Sequence, residues 1–185
     1  VRKLPLACLS ALFIPSFAAR AATLAVLTSG GVLQQPTSHY YHACYGLGLE
    51  AANDKQSVIG RIHYIERPEF ETEVESETGE RIRFQDKDYG GFVTVGTKLT
   101  KQPKHGLFAY FGAGRVEGYI RTSDGQSRGF ALPGLTTVVE YQAQVASFVF
   151  AAGHQTFAGY VDTAQLYAFV AWPYNVFNAS MGYRW

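Results

Sequence analysis

The sequence predicts an all-β fold: eight antiparallel strands closed up-and-down into a transmembrane β-barrel, with one protruding β-hairpin. Three observations lead there. The closing stretch, 176–185, places Phe177, Ala179, Met181, Tyr183 and Trp185 on one face and Asn178, Ser180, Gly182 and Arg184 on the other, because successive strand side chains point to opposite sides. The same two-residue period recurs through most of the chain. The connections also alternate, short after the second, fourth and sixth strands and longer or Pro-containing after the others. Membrane barrels have this rhythm, with an even strand count, short turns on one side and long loops on the other.

Residues 1–21 read as a secretory signal peptide: Arg2 and Lys3, an apolar run from Leu4 to Phe17, and the cleavage site Ala19-Arg20-Ala21. The barrel domain is then 22–185. Without the three leader cations it holds 13 basic and 15 acidic residues, a balance that gives no reason to expect a nucleic-acid partner. Removal of Cys8 with the leader leaves Cys44 alone, which excludes a disulfide within one chain. The 15 % aromatic content is high and the 17 % charged content low for a soluble domain.

The strands follow in order. Thr23–Gln34 is a weakly patterned first strand. Tyr40–Ala52 places Tyr41, Ala43, Tyr45, Leu47, Leu49 and Ala51 outward and His42, Cys44, Gly46, Gly48 and Glu50 inward. Asn53-Asp54-Lys55 turns the chain. Ser57–Glu66 places Val58, Gly60, Ile62 and Tyr64 outward and Arg61 and His63 inward. Tyr89–Leu99 carries Val93 and Val95 outside and Phe92, Thr94 and Lys98 inside, and 101–104 is the second turn. His105–Ile120 is assigned with Phe108, Tyr110 and Val116 outward and Arg115 and Glu117 inward. Residues 121–135 read as a loop around Asp124-Gly125. Thr136–Ala151 places Glu140, Gln142 and Gln144 inward, Ala152-Gly153-His154 is the third short turn, and Gln155–Val170 is the seventh strand. Its register is open, since Ala158, Tyr160 and Asp162 compete with Thr163 and Gln165 for the inward side. Trp172-Pro173-Tyr174 leads into the eighth strand. Two uncharged stretches, Tyr141–Val161 and Thr163–Tyr183, could be taken for transmembrane helices, but their period is two and glutamines interrupt them.

With this closing strand, the sequence resembles the small outer-membrane barrels of Gram-negative bacteria, of the OmpX, OmpA transmembrane-domain and opacity-protein type. The resemblance implies outer-membrane localisation among lipid and lipopolysaccharide. It also implies recognition by the barrel-assembly machinery through Phe177, Met181, Tyr183 and Trp185, a monomeric state, and a projecting sheet that contacts external proteins.

An Arg or Lys facing lipid near the midplane costs about 2–4 kcal/mol, so ionic side chains are assigned to the lumen: Glu50, Arg61, His63, Lys98, Arg115, Glu117, Glu140 and Arg184. An eight-stranded barrel is just wide enough for its side chains to fill it. A charge plug is therefore expected, with Glu140 near Arg115. Between Glu66 and Asp88 lie nine acids and four bases. Folded around Gly79, this stretch pairs Glu77 with Arg81, Glu75 with Arg83, Glu71 with Lys87, Val74 with Phe84 and Ser76 with Ile82. The result is an extended acidic hairpin over 66–88, with a bulge at Gly90-Gly91. Its candidate binding residues are Val74, Ile82, Phe84, Glu71, Glu75 and Arg83, offered to an external protein strand. No cofactor is expected, and no spacing marks a dedicated metal site.

Two other readings compete with a non-enzymatic structural and adhesive barrel. Lipid A enzymes of the PagL and PagP types share the barrel, but Ile62-His63-Tyr64-Ile65 lacks the Ser of a His-x-Ser pair. His154-Gln155-Thr156 offers a Thr with no later Glu. A soluble lipocalin-like carrier would need the opposite arrangement, an apolar lumen and a polar exterior.

Overall fold

The computed structural model describes residues 23–34, 41–53, 55–75, 81–122, 125–159 and 173–185. The signal-peptide assignment, the hairpin tip at 76–80, Asp124 and the proposed seventh-strand residues Tyr160, Asp162, Thr163 and Gln165 lie outside them. The eight strands are β1 (Thr23–Gln34), β2 (Tyr41–Ala52), β3 (Ile59–Glu75), β4 (Arg81–Lys98), β5 (His105–Thr122), β6 (Ser127–Val145), β7 (Phe148–Gly159) and β8 (Pro173–Arg184). Each pairs antiparallel with its chain neighbour, and β8 pairs back onto β1 to close the barrel. Closure leaves the membrane-level wall with no free edge, which is what a strand needs in hydrocarbon.

The outward set is apolar: Leu47, Leu49, Val95, Phe111, Val139, Phe150, Met181 and Tyr183 are all exposed. The inward set mixes polar and apolar side chains, with Glu50, Arg61, Glu140, Gln142 and Arg184 buried beside Phe108, Tyr110 and Val138. This inversion of the soluble pattern marks a barrel whose exterior meets lipid.

Residues 127–135, expected in a loop, belong to β6 and pair with β5, and three further assignments need correction. The third short turn is Ala146-Ser147, not Ala152-Gly153-His154. Ala146 adopts a positive φ of 54°, a conformation normally signalled by Gly or Asn, so its sequence carries no turn signature. Gly153 instead lies inside β7 against β6, where a Cβ would come within 2.4 Å of Glu140 Cβ. β7 therefore begins at Phe148, with Val149, Ala151, Gln155 and Phe157 inward and Ala158 outward.

The second correction is to β5. Phe108, Tyr110 and Val116 are buried inside, while Phe111 and Arg115 face out and Glu117 shares their side. Both faces of this strand carry aromatics and small residues, so alternation alone does not orient it. Pairing does: Phe108 sits opposite Glu140 and Gly106 opposite Gln142, and partners in register share a face.

The third concerns the hairpin. Glu75 pairs with Arg81, Val74 with Ile82, Glu73 with Arg83, Thr72 with Phe84 and Glu71 with Gln85. This is two residues from the expected register. The bulge lies between Arg67 and Phe70, where Pro68 has no N–H to give to a ladder. Gly90 is not bulged; a Cβ there would meet the Phe92 ring at 2.7 Å.

Candidate functional site

The lumen is layered. Toward the short turns, Arg61 of β3 spans the interior. Its Nη2 donates to Glu50 Oε2 of β2 at 2.6 Å and to Tyr110 OH of β5 at 2.9 Å, and its Nη1 donates to Glu140 Oε2 of β6 at 2.9 Å. A further contact joins Nη2 to Glu140 Oε1. The guanidinium lies 4.1 Å from the Tyr110 ring centroid, a cation–π arrangement. Arg184 of β8 adds Nη2 to Glu50 Oε1 at 2.6 Å and reaches Gln142 and Gln144. Gln142 Nε2 donates to Glu140 Oε1 at 2.7 Å. Two guanidinium groups and two carboxylates thus neutralise one another across four strands. Each removed charge is matched, which buried ions require.

Above this layer His63 Nε2 lies 3.1 Å from Gln155 Oε1, and its ring stacks on Phe92 at 5.0 Å. Higher still, Leu33, Cys44, Ile65, Phe92, Val116, Phe157 and Val176 form an apolar cluster. Above it, Arg67 donates from Nε and Nη2 to the two oxygens of Asp88 at 2.8 and 2.9 Å and contacts Asp86. Among the described residues, spaces of about 20 and 30 Å³ lie beside these layers, each large enough for a water or two.

Among the expected lumen residues, the structure brings Glu50, Arg61, Glu140 and Arg184 into one network and places His63 in the layer above. Lys98 stays at the turn end, its Nζ donating to Pro103 O at 3.2 Å and to Gln102 O. Arg115 and Glu117 do not belong to the lumen. Arg115 Nε meets Glu117 Oε1 at 2.5 Å on the outside, and Tyr89 OH also donates to Glu117. Both sit above the apolar Ala113 and Phe111, toward the long loops, where the midplane penalty no longer applies: a charge near the interface costs roughly 0–1 kcal/mol. The partner of Glu140 is Arg61. Sequence reasoning missed Arg67, Tyr110 and Asp88, because a charge in the hairpin region read as solvated and Tyr110 was assigned outward.

Around the rim, Lys87 Nζ meets Glu66 Oε1 at 2.7 Å, and Tyr64 and Tyr119 donate to Glu66 and Glu69. The Glu66 carboxylate beside it raises the Lys87 ammonium above its ordinary range.

Among the described residues, β3 pairs with β2 only as far as Glu66, and β6 pairs with β7 only from Gly134 onward. Between these limits β3, β4, β5 and β6 remain paired to Glu75, Arg81, Thr122 and Ser127. The projecting element is therefore a four-stranded sheet, not an isolated two-stranded ribbon. Its described edges are 67–75 of β3 and 127–133 of β6. Glu71 and Arg83 are exposed on it, 3.8 Å apart, while register places Val74 beside Ile82 and Glu75 beside Arg81.

No family model matches the sequence, and no curated protein does. Solved structures do. The outer membrane protein OprG of Pseudomonas aeruginosa matches with a TM-score of 0.59 at 8 % identity, over 90 % of this chain and 97 % of that one. The chain has the outer-membrane β-barrel fold. Ail, the attachment invasion locus protein of Yersinia pestis, solved with the heparin analogue sucrose octasulfate, matches with a TM-score of 0.55 at 13 % identity, over 88 % of this chain and 97 % of that one. The N-terminal β-barrel domain of Pseudomonas aeruginosa OprF matches at 0.50 and 11 % identity, over 87 % of this chain and 97 % of that one.

Proposed function

We propose that this chain is a non-enzymatic barrel of the Gram-negative outer membrane, with a side-chain-filled lumen, serving envelope structure and contact with external proteins. The apolar exterior, the closed wall and the fold support the membrane placement. The stitched Arg61–Glu50–Glu140–Arg184 layer supports a lumen that passes no solute. The exposed alternation of Phe177, Met181, Tyr183 and Trp185 supports recognition of the closing strand by the barrel-assembly machinery.

The observation that carries the contact function is the four-stranded sheet held out past the barrel, with 68–75 of β3 making no pair to β2 among the described residues. Unpaired backbone N–H and C=O groups on such an edge accept an added strand. Glu69, Glu71, Glu73 and Glu75 recur every second residue there, and the adjacent β4 carries Arg81, Arg83 and Lys87. An incoming extended strand with Lys or Arg at alternate positions continues that ladder, each pair contributing roughly 0.2–1 kcal/mol. A sulfated sugar of the kind bound by Ail would meet like charge on this edge.

The test replaces Glu69–Lys87 by a two-residue turn between Arg67-Pro68 and Asp88, which leaves the Arg67–Asp88 pair in place. The shortened protein should keep its heat-modifiable gel mobility and lose adhesion of bacteria displaying it to host-protein-coated surfaces. Unchanged adhesion by a correctly folded, surface-displayed variant would remove the contact function.

A further inference from the structure

The β4–β5 turn carries unmatched positive charge. In the ionic layer above it, Arg61 and Arg184 are balanced by Glu50 and Glu140. Below that neutral layer, Lys98, Lys101 and Lys104 recur at every third residue with no acid between them. Among the described residues, neither Lys98 nor Lys104 has a carboxylate partner, and the Arg184 charge bears on Lys98 as well.

Two of these lysines meet in the mouth of the barrel. A space of about 10 Å³ there is lined by Lys98, Lys104, His105 and Arg184 and by the amide side chains of Gln56 and Gln144. Among the described residues no carboxylate lines it. Its inner wall is Phe108 and Gln142, both buried lumen residues.

The mouth is shaped around Lys98. Its stem passes Gly106, where a Cβ would come within 2.8 Å of Lys98 Cε, so a larger residue there would push the lysine aside. The ammonium lies 5.5 Å from the Phe108 ring centroid. It donates to Gln102 O and Pro103 O, which leaves one of its three N–H groups to spare. The side chains of Lys104 and Gln56 make no hydrogen bond among the described residues. Lys98 N donates to Gln56 O at 3.1 Å, which ties the β2–β3 and β4–β5 turns together. Gln56 is held there at a positive φ of 53°, a conformation that persists only where its surroundings fix it.

These donors select an anion. A phosphate group near two negative charges matches the two unpaired ammonium groups and presents three acceptor oxygens, for Lys98, Lys104 and Gln56. A single carboxylate presents two oxygens and leaves one cation over. Lysine binds phosphate as a point charge, with no fork geometry required. The space admits about one oxygen atom, so the rest of the group sits at the opening. Position selects the source. The site opens along the barrel axis at the short turns, which face the periplasm in outer-membrane barrels. Lipid headgroups lie outside the closed wall, so the phosphate arrives from water.

We propose that the short-turn mouth, through Lys98, Lys104 and Gln56, binds the phosphate group of a water-borne phosphomonoester or of inorganic phosphate. The site is independent of the contact function of the projecting sheet. The test places the full barrel in phosphatidylcholine nanodiscs and titrates inorganic phosphate and glycerol phosphate by calorimetry, with acetate as the carboxylate comparison. The wild type should bind both phosphates saturably at one site per chain, and acetate at least about tenfold more weakly. Lys104→Gln removes one charge-assisted contact and no hydrogen bond of the fold, so it should weaken phosphate binding about tenfold. Lys98→Met/Lys104→Gln should abolish it, while Lys101→Gln, outside the space, should change it less than about twofold. Heat-modifiable gel mobility reports the folding of each variant, and Lys104→Gln decides alone if the double variant does not fold. Absence of saturable binding by the folded wild type overturns the site. Equal losses in Lys101→Gln and Lys104→Gln, acetate binding as tight as phosphate, or displacement of phosphate by phosphatidylglycerol added to the disc also overturn it.

Discussion

Arg61→Met removes the cation that joins three strands inside the barrel, and the loss is unequal among its partners. Glu50 retains Arg184 at 2.6 Å and the Tyr110 hydroxyl at 3.1 Å. Glu140, only 3 % exposed, retains no cation among the described residues, only the Gln142 amide at 2.7 Å and the Tyr110 hydroxyl. The cost therefore concentrates on one stranded carboxylate, and removing one partner of a buried pair costs about 3–5 kcal/mol. Adding Glu140→Leu removes the stranded charge, so the double variant should recover at least about 2 kcal/mol of that loss. Equilibrium urea unfolding in lipid vesicles, followed by tryptophan fluorescence and gel mobility, measures both. A single variant that loses less than about 1 kcal/mol, with the two changes simply additive, would show the carboxylates already solvated and refute a packed ionic layer.

Ala146→Gly relieves a left-handed alanine in the β6–β7 turn and should raise stability by about 1 kcal/mol in the same unfolding assay. Gly153→Ala drives a methyl group against Glu140 Cβ and should cost about 1–3 kcal/mol. Arg67→Met breaks the bidentate Asp88 pair; with the Arg67 side chain 1 % exposed, it should cost about 3–5 kcal/mol and speed limited proteolysis of the projecting sheet while the barrel stays folded. In planar bilayers the wild type should show no steady single-channel conductance, and persistent openings would refute a filled lumen.

The fold was legible because lipid outside and a closed wall impose a two-residue period on every strand, and that period survives in the sequence. β2, β4 and β8 showed it plainly, since only one of their faces is greasy. β5 was misoriented because Phe108 and Tyr110 compete with Phe111. Only Glu140 and Gln142, on another strand, decide between them, and that information is non-local. The β6–β7 turn was displaced because Ala146 bears the strained backbone without a turn residue, while Gly153 gives a turn signal and is present for close packing. In the ionic layer, Glu50, Arg61, Glu140 and Arg184 were recognisable individually, since a charge at midplane has nowhere else to go. Their pairing was not, because it depends on the register of four strands. Charge location misled at Arg115, where the rule for the membrane centre was applied to a residue at its edge.

The most direct test of the central claim is collision accessibility of spin labels at positions 47, 111, 139 and 181, introduced one at a time into a Cys44→Ala background in lipid bilayers. The account predicts that oxygen, which concentrates in hydrocarbon, relaxes all four labels more strongly than a water-soluble nickel complex, with the order reversed for a label at position 125. Nickel accessibility at position 111 or 139 matching that at 125 would contradict an apolar, lipid-facing exterior.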